Sequence, residues 1–383
     1  MSATFPEEKI MLPGQTPEGH YILSVLVKRT YDITPTGWCV RTQPKPLIKG
    51  DQFYDNGDPR AVAMKFETDL IPFKLATDVI FLGKAYAPEG QKVSSLMVSL
   101  LITAYREQYR KDLLVIGDRE CVYNAPRKVA TGLFRQAQVE PVLPTFTDPI
   151  PFSEMEIRYE RAYGGVDIYS DPDLPAFYPR NLVGKGFVLK NTKQTIQGLA
   201  LPNLEDPKDL LTPECLLVED LKNWERQPMP QGFGWYNKYC YPRAALVGIL
   251  PADKKYADEM RAAYRQLVPP QQLALYDQTE LPVIDFRFFN GASPGLVLPY
   301  LWGDEKITLF NLDPQGRKNF SLPGEKPQIV MDIGEGEKVL EVVLHTLTIR
   351  NEENQLDMVW RGAMPYPGPE WLPQMKKLLI SIT

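Results

Sequence analysis

Proline is the residue that most constrains how this chain can fold. The 383 residues include 36 prolines, about twice the share of an average protein. Because proline lacks a backbone N–H and clashes with the preceding helical turn, prolines this frequent leave room for few long helices. We therefore expect a mainly β protein, with antiparallel sheets and a central region that is irregular and rich in proline and aromatic residues.

Two hairpins are predicted, one near each end of the chain. Residues 21–33 are rich in β-forming side chains and lead through a turn at Pro35 and Gly37 into a second strand at 38–41. A similar layout occurs near the C-terminus, where 339–349 is followed by a polar turn and by 356–361. Both hairpins are expected to contribute to sheets.

The segments between the hairpins are predicted as a β-meander with few helices. Residues 77–87 read as a strand, 93–104 as its returning partner, and 113–117 as a further strand. Apolar residues recur at helical spacing over 252–267, which lies between Pro251 and Pro269. Shorter helix candidates are 206–211 and 369–379.

Domain boundaries are not marked by any shift in composition. The chain is therefore taken as one unit over 1–383. Within it we distinguish an N-terminal β-meander at 20–150, a central segment at 151–299 and C-terminal hairpins at 300–383.

Charge and composition argue against several classes of function. The net charge is −5, and the basic residues are interleaved with acidic ones, which does not favour a nucleic-acid groove. The longest apolar runs are far shorter than the roughly 20 residues of a spanning helix, and the N-terminus does not resemble a signal peptide. We expect a cytoplasmic protein without a membrane role, whose scattered cysteines are reduced thiols: Cys39, Cys121, Cys215 and Cys240.

The stretch 154–187 is the segment around which we expect the rest of the chain to be organised. Read as a strand, it places Tyr159 and Arg161 on one apolar face, because side chains alternate. Arg161 would then require a carboxylate from elsewhere in the chain. One interpretation is an interior ion pair and turn that fix an interaction scaffold, and the other makes Glu160 and Arg161 catalytic. In the scaffold interpretation, Glu160→Gln should destabilise the fold by about 3–5 kcal/mol.

Motifs for nucleophile, metal or cofactor chemistry are weak. The two histidines, His20 and His345, lie at a strand entrance and inside an apolar strand, and no phosphate-binding or nucleophile-elbow motif occurs. We expect no cofactor and no metal. Carboxylates could still serve a glycosidase, with aromatic rings as sugar platforms. The candidates are Glu160, Glu205, Asp304 and Glu305, with Tyr163, Trp235 and Trp302 as rings, although each acid is also a suitable partner for Arg119, Arg161, Arg180 or Arg243.

A set of motifs recurs in order along most of the chain. It consists of Thr-Asp at 77–78 with Leu-Gly-x-Ala-Tyr-Ala-Pro at 82–88, Gly-Asp-Arg at 117–119, Tyr-Glu-Arg-Ala-Tyr-Gly-Gly at 159–165, Asn-Leu-Val-Gly-Lys-Gly-Phe at 181–187, Leu-Pro-Asn-Leu-Glu at 201–205, Gly-Phe-Gly at 232–234, Phe-Phe-Asn-Gly-Ala at 288–292 and Gly-Asp-Glu at 303–305. This order resembles a bacterial domain-of-unknown-function family that is found beside type VI secretion genes.

The resemblance implies an effector adaptor or chaperone rather than an enzyme. Such a protein binds a secreted effector that carries a PAAR-type tip domain and helps to load it on the VgrG spike. Carbohydrate hydrolysis and glycan binding by a β module remain the alternatives. Interfaces are often anchored by aromatic and arginine side chains, so the candidate partner-binding residues are Tyr163, Arg180, Trp235 and Trp302. The candidate structural core of the motifs comprises Asp78, Asp118, Arg119, Tyr159, Glu160, Arg161, Gly164, Gly165, Asn181, Gly184, Gly186, Asn203, Glu205, Asn290 and Asp304.

Overall fold

The fold is mainly β, as the sequence predicts. A computed structural model describes residues 8–58, 60–131, 136–140, 142–217, 226–247, 285–333, 336–372 and 379–382. Within these ranges the two α-helices are single turns, α1 (Lys193–Ile196) and α2 (Pro213–Leu216). Each begins after a threonine that caps it, Thr192 or Thr212.

The strands are numbered along the chain. They are β1 (Glu8–Gln15), β2 (Tyr21–Ile33), β3 (Cys39–Thr42), β4 (Gln52–Phe53), β5 (Met64–Phe66), β6 (Thr77–Leu82), β7 (Lys84–Tyr86), β8 (Ser95–Thr103), β9 (Gln108–Ile116), β10 (Cys121–Val122), β11 (Arg127–Thr131), β12 (Gln136–Glu140), β13 (Thr145–Phe146), β14 (Glu154–Glu156), β15 (Tyr163–Gly164), β16 (Val166–Asp167), β17 (Ala176–Phe177), β18 (Lys185–Gly186), β19 (Leu204–Glu205), β20 (Val297–Leu298), β21 (Lys306–Phe310), β22 (Arg317–Ser321), β23 (Ile329–Asp332), β24 (Glu337–Val339), β25 (Glu341–Arg350), β26 (Gln355–Pro365) and β27 (Leu379–Ile382).

The largest sheet joins the two ends of the chain. Its order is β1-β2-β26-β25-β6-β20. The short strand β3 pairs with the last residues of β2, from Thr30 to Ile33. β2 runs antiparallel to β26 over its length, from Ile22 opposite Pro365 to Asp32 opposite Gln355. The predicted terminal hairpins are thus confirmed, and they lie in one sheet.

A second sheet of five strands has the order β19-β9-β8-β21-β22. Buried side chains of both sheets belong to one hydrophobic core, in which Leu100 and Leu309 of the second sheet join Val27 and Leu347 of the first. A smaller cluster around Tyr163, Tyr178 and Phe187 forms a separate core for the central segment.

The predicted meander over 77–117 is wrong in its pairing. β6 lies between β25 and β20 in the first sheet, whereas β8 pairs with β9 and β21 in the second. All six residues of β6 are buried, which fits an interior strand covered on both faces. The connection through β7 and the turn at Pro88 therefore carries the chain from one sheet to the other.

The helix predictions have mixed outcomes. The predicted helix at 252–267 lies outside the described residues. Residues 206–211 form a turn closed by a bridge between Asp206 and Asp209, so the prediction there is wrong, and the short helix α2 follows it instead. Of 369–379, residues 369–372 form a 3-10 turn, and most of the remainder is outside the described part.

Candidate partner-binding surface

The Tyr-Glu-Arg-Ala-Tyr-Gly-Gly motif forms a turn rather than a strand. β14 ends at Glu156, and Tyr159–Arg161 is a single 3-10 turn. The predicted alternation therefore breaks before Arg161, whose side chain is about one-third exposed instead of facing the apolar core. The expectation of an interior Arg161 is wrong for this reason.

The two glycines that follow the turn are required by their surroundings. Gly164 and Gly165 have φ angles of 145° and 102°, in the region that favours glycine. A Cβ at Gly165 would clash with the backbone carbonyl of Gly184, and one at Gly184 would clash with Asn181. The buried Asn181 donates from Nδ2 to the carbonyls of Tyr159 (2.9 Å) and Tyr163 (3.1 Å). We call this arrangement, formed by Tyr159, Gly164, Gly165, Asn181 and Gly184, the glycine socket.

A polar cluster centred on Asn203 adjoins this socket. Asn203 is fully buried, and its Nδ2 donates to the Ile116 carbonyl (2.9 Å) and to Asp118 Oδ1 (3.0 Å). Its Oδ1 accepts from Arg161 Nη1 at 3.2 Å. The hydrogen bond from Asn203, assisted by Lys185 and Arg161, lowers the pKa of Asp118. We call Asp118, Arg119, Arg161, Lys185, Asn203 and Glu205 the Asn203 cluster.

The acidic partner of Arg119 in this cluster is Glu205. The Arg119 guanidinium donates to Glu205 Oε1, while Glu205 Oε2 accepts from the backbone N–H of Leu211 at 2.8 Å. Burial raises the pKa of the Glu205 carboxyl, against the opposing effect of Arg119. Glu205 is therefore an ion-pair partner of Arg119, one of the pairings that the sequence left open.

A second set of motif residues meets deep in the molecule around Asp78. Asp78 is fully buried and accepts from Lys74 Nζ (2.7 Å), the Ala292 N–H (3.0 Å) and Asn290 Nδ2 (3.3 Å). Lys74 also donates to Thr346 Oγ1 and lies 5.1 Å from the ring centroid of Trp235. We call Lys74, Asp78, Asn290, Trp235 and Thr346 the Asp78 cluster.

Glu160 makes no ion pair with any arginine that the structure describes. Its Oε1 accepts from the Ala63 N–H at 2.8 Å, and no group in the described chain donates to Oε2. The predicted cause of destabilisation in Glu160→Gln, a buried arginine left without its carboxylate, therefore does not apply to the described contacts, and glutamine would retain an oxygen acceptor for the Ala63 N–H. A buried ion pair between an arginine and a carboxylate does occur elsewhere, where Arg243 donates two hydrogen bonds to Glu67.

Of the four candidate partner-binding residues, only Trp302 is well exposed, at 73%. Tyr163 and Trp235 are buried, so neither can make a first contact with a partner in this conformation. Arg180 is half-buried and donates to the Gln227 carbonyl at 3.0 Å. Aromatic composition alone could not separate rings that fill a core from a ring on the surface.

Trp302 lines an aromatic cleft of about 270 Å³ together with Tyr105, Tyr109 and Tyr300. The backbone beneath it is fixed, because the buried Glu305 carboxylate accepts from the N–H groups of Trp302 (2.7 Å) and Gly303 (2.9 Å). Both oxygens of the Glu305 carboxylate thus accept hydrogen bonds from the backbone. The neighbouring Asp304 is exposed.

Three of the four candidate carboxylates for hydrolysis accept hydrogen bonds from different groups of the protein. Glu160 and Glu305 accept from backbone N–H groups, and Glu205 pairs with Arg119. Two of the three proposed sugar platforms, Tyr163 and Trp235, are buried. These contacts give the hydrolase alternative no support from geometry.

Sequence reasoning missed an exposed apolar hairpin that follows the glycine socket. β16 and β17 pair antiparallel, and together with their loop they expose five large apolar side chains: Val166, Ile168, Tyr169, Leu174 and Phe177. We call this segment, residues 166–177, the apolar hairpin. Its signal in the sequence is a mixture of large apolar residues with aspartate and proline, a composition that resembles an ordinary loop.

The apolar hairpin is held in shape by one buried acid. Asp167 Oδ1 accepts from the N–H groups of Tyr169 and Ser170, both at 2.9 Å, and its Oδ2 accepts from the Leu189 N–H at 2.9 Å. Burial opposes the charged form, but the hydrogen bond from the Ser170 hydroxyl and these backbone hydrogen bonds together lower the pKa of Asp167. A preorganised apolar surface loses little entropy on binding.

The fold and these surfaces define a β protein with a rigid polar scaffold and exposed aromatic and apolar residues. Within the described residues, no helix has the length and apolar character needed to span a membrane. The comparison with protein families then gives the particular family. The chain belongs to the family described as "Uncharacterized protein conserved in bacteria (DUF2169)", whose model matches residues 18–361. No curated protein and no solved structure matches the chain.

Proposed function

We propose that this protein is a cytoplasmic adaptor that binds another protein through the apolar hairpin. The observation that carries the proposal is the exposure of five large apolar side chains within 166–177, on a hairpin braced by Asp167. Large contiguous apolar surface on a soluble protein marks an interaction site. Asp171 and Asp173 are also exposed here, so a basic and apolar partner surface would complement it.

The partner follows from the resemblance of the ordered motifs to proteins encoded beside type VI secretion genes. On that basis it is a secreted effector, contacted at its PAAR-type tip domain before it is loaded on the VgrG spike. The adaptor itself contributes a binding surface and no chemistry. A stable complex would bury roughly 1,600 Å² in total.

Co-purification with the products of adjacent genes tests this function. The tagged wild-type protein should retain an effector that carries a tip domain. Leu174→Asp places a charge at the most exposed of the five apolar side chains of the hairpin and should abolish retention. Val339→Asp is the matched control, since Val339 is 64% exposed on β24, compared with 72% for Leu174, and this variant should retain the effector.

Two results would contradict the proposal. One is the absence of any effector, tip protein or spike in the co-purified material while these partners are soluble. The other is equal retention by wild type and Leu174→Asp, which would remove the hairpin from the interface.

Glycan binding is the second candidate function, because the exposed rings of Trp302 and Tyr105 line one cleft. Trp302→Ala removes the larger ring. If the cleft binds glycans, wild type should bind a set of bacterial cell-wall oligosaccharides and the variant should not. Retention of the effector by Trp302→Ala would separate this function from that of the hairpin.

A further inference from the structure

Two buried side chains on neighbouring strands lack the partners that buried polar groups require. Arg361 of β26 is only 9% exposed, and His345 of β25 is 1% exposed. His345 lies where the pairing of the two strands shifts register between Leu344 and Thr346, and Arg361 is opposite Val343. The two side chains therefore belong to one small region of the seven-stranded sheet.

Arg361 has no hydrogen-bond acceptor or carboxylate partner among the residues that the structure describes. Its Nε is buried and unbonded, and its guanidinium instead lies 4.6 Å from the ring centroid of Phe73. Both ring nitrogens of His345 are likewise buried and unbonded. Two acids lie near these side chains. Asp78 already accepts from Lys74, Asn290 and Ala292, and the exposed Glu341, whose charge acts on Arg361, makes no ion pair with it in the described structure.

An arginine cannot lose its proton under ordinary conditions, so burial without an acceptor is costly. Lys74 lies nearby but is neutralised by Asp78. Among the described residues, no ion pair neutralises the charge of Arg361, which lies beside a histidine that can donate one hydrogen bond in its neutral form. Buried donors in folded proteins are normally satisfied, which indicates that an anionic group completes this region.

We propose that Arg361 and His345 form a binding site for a carboxylate. The planar guanidinium can donate two parallel hydrogen bonds to a carboxylate, and an imidazole N–H can add another. Tyr300 is close to both this site and the aromatic cleft: its hydroxyl donates to the Lys74 carbonyl and acts electrostatically on Arg361, and its ring lines the cleft that holds Trp302. The site therefore adjoins Tyr300 of the aromatic cleft and is distinct from the apolar hairpin.

The carboxylate has two possible sources. Under the proposed function it belongs to the bound protein, as an acidic side chain or a chain terminus, and this part of the inference rests on that function. A free small carboxylate would use the same contacts without any partner. The first test below involves no effector, so its failure is distinguishable from failure of the proposed function.

Nuclear magnetic resonance of the two histidines provides the direct test. The wild-type protein, with labelled imidazole rings, is titrated with sodium acetate against sodium chloride at equal ionic strength. Acetate should shift the His345 resonances in a saturable manner and leave those of the exposed His20 unchanged. Unchanged His345 resonances, or equal shifts at both histidines, would overturn the inference.

A pair of variants provides the second readout. Arg361→Met removes the charge at similar volume, and Arg317→Met is the control on an exposed strand position. In chloride, Arg361→Met should unfold at a temperature equal to or above that of wild type, because an uncompensated buried charge is lost. Acetate should raise the Tm of wild type and Arg317→Met by ligand linkage, and should leave Arg361→Met unchanged. An equal rise in all three proteins, or in none, would refute the site.

The source is assigned with two further probes on the wild-type protein. N-acetylglutamate α-amide presents a side-chain carboxylate, and N-acetylglycine presents a chain-terminal one. Stronger binding of either than of acetate supports a carboxylate supplied by a protein and identifies its kind. Stronger binding of acetate than of both supports the site with a small free carboxylate as its ligand.

Discussion

The Asn203 cluster and the Asp78 cluster are built from similar residues but differ in their access to water. In the Asp78 cluster, the charged groups of Lys74 and Asp78 are almost completely buried. In the Asn203 cluster, Asp118 is 61% exposed and its ion-pair distance to Arg161 is 3.7 Å. The comparison teaches that motif residues of one chain can serve different purposes. The Asp78 carboxylate joins β6 to the segments at Lys74 and Asn290, whereas the charges of Asp118, Arg161 and Lys185 lie nearer the surface beside the glycine socket.

The largest expected effect is that of Asp78→Asn. This change leaves the buried Lys74 ammonium without a carboxylate and places an amide near it, which should lower the free energy of unfolding by about 3–5 kcal/mol. Chemical denaturation of the purified variant measures the effect. The exposed Asp304→Asn is the control, and equal stability of the two variants would show that the Asp78 ion pair does not stabilise the fold.

Gly165→Ala should have the next largest effect. The positive φ and the close carbonyl of Gly184 oppose any Cβ, so we expect a loss of about 3 kcal/mol. Gly50→Ala is the matched control, because a Cβ there meets no atom within 4 Å. If Gly165→Ala were as stable as this control, the glycine socket would not be rigid as described.

The pH dependence of the free energy of unfolding should reveal the titration of His345, the buried histidine near the Asp78 cluster. Burial, assisted by the charges of Arg361 and Lys74, holds the pKa of His345 well below 6.5 in the folded state. The unfolded state therefore binds the proton first as pH falls. Between pH 6.5 and 5, stability should decrease by up to about 1.4 kcal/mol per pH unit.

Denaturation in buffers free of carboxylates measures this slope. His345→Gln should flatten it, whereas His20→Gln should leave it intact because His20 is exposed. A slope that persists in His345→Gln would assign the proton to another group.

The smallest expected effect is that of Asp118→Asn. Because Asp118 is mostly exposed, its ion pairs with Lys185 and Arg161 are screened by water. We expect a loss of less than about 1 kcal/mol, which should diminish further in high salt. A loss as large as that of Asp78→Asn would erase the distinction between the two clusters.

Local features of the fold could be predicted from the sequence, whereas its long-range pairing could not. The strand at Tyr21–Ile33 has the predicted bounds, because its β-forming residues are bounded by turn residues. The position of β6 between β25 and β20 depends on partners more than 200 residues away in sequence. Alternation within β6 carries no information about those partners.

The candidate site shows the same limit. The motif residues Arg119 and Glu205 pair as one interpretation anticipated, since a buried arginine needs an acid. The face of Arg161 was predicted wrongly, because apolar alternation does not reveal that β14 ends at Glu156. The exposure of the apolar hairpin was not predicted, because it depends on the hydrogen bonds that Asp167 accepts from the loop, which composition alone does not reveal.

The proposed function depends on the apolar hairpin as the surface that contacts the partner. The most direct test is the affinity of the co-purified effector for wild type, Leu174→Asp and Val339→Asp, measured by titration calorimetry. We predict a loss of at least about 100-fold for Leu174→Asp, which corresponds to roughly 2.7 kcal/mol, and wild-type affinity for Val339→Asp. Wild-type affinity for Leu174→Asp in a correctly folded protein would contradict the account.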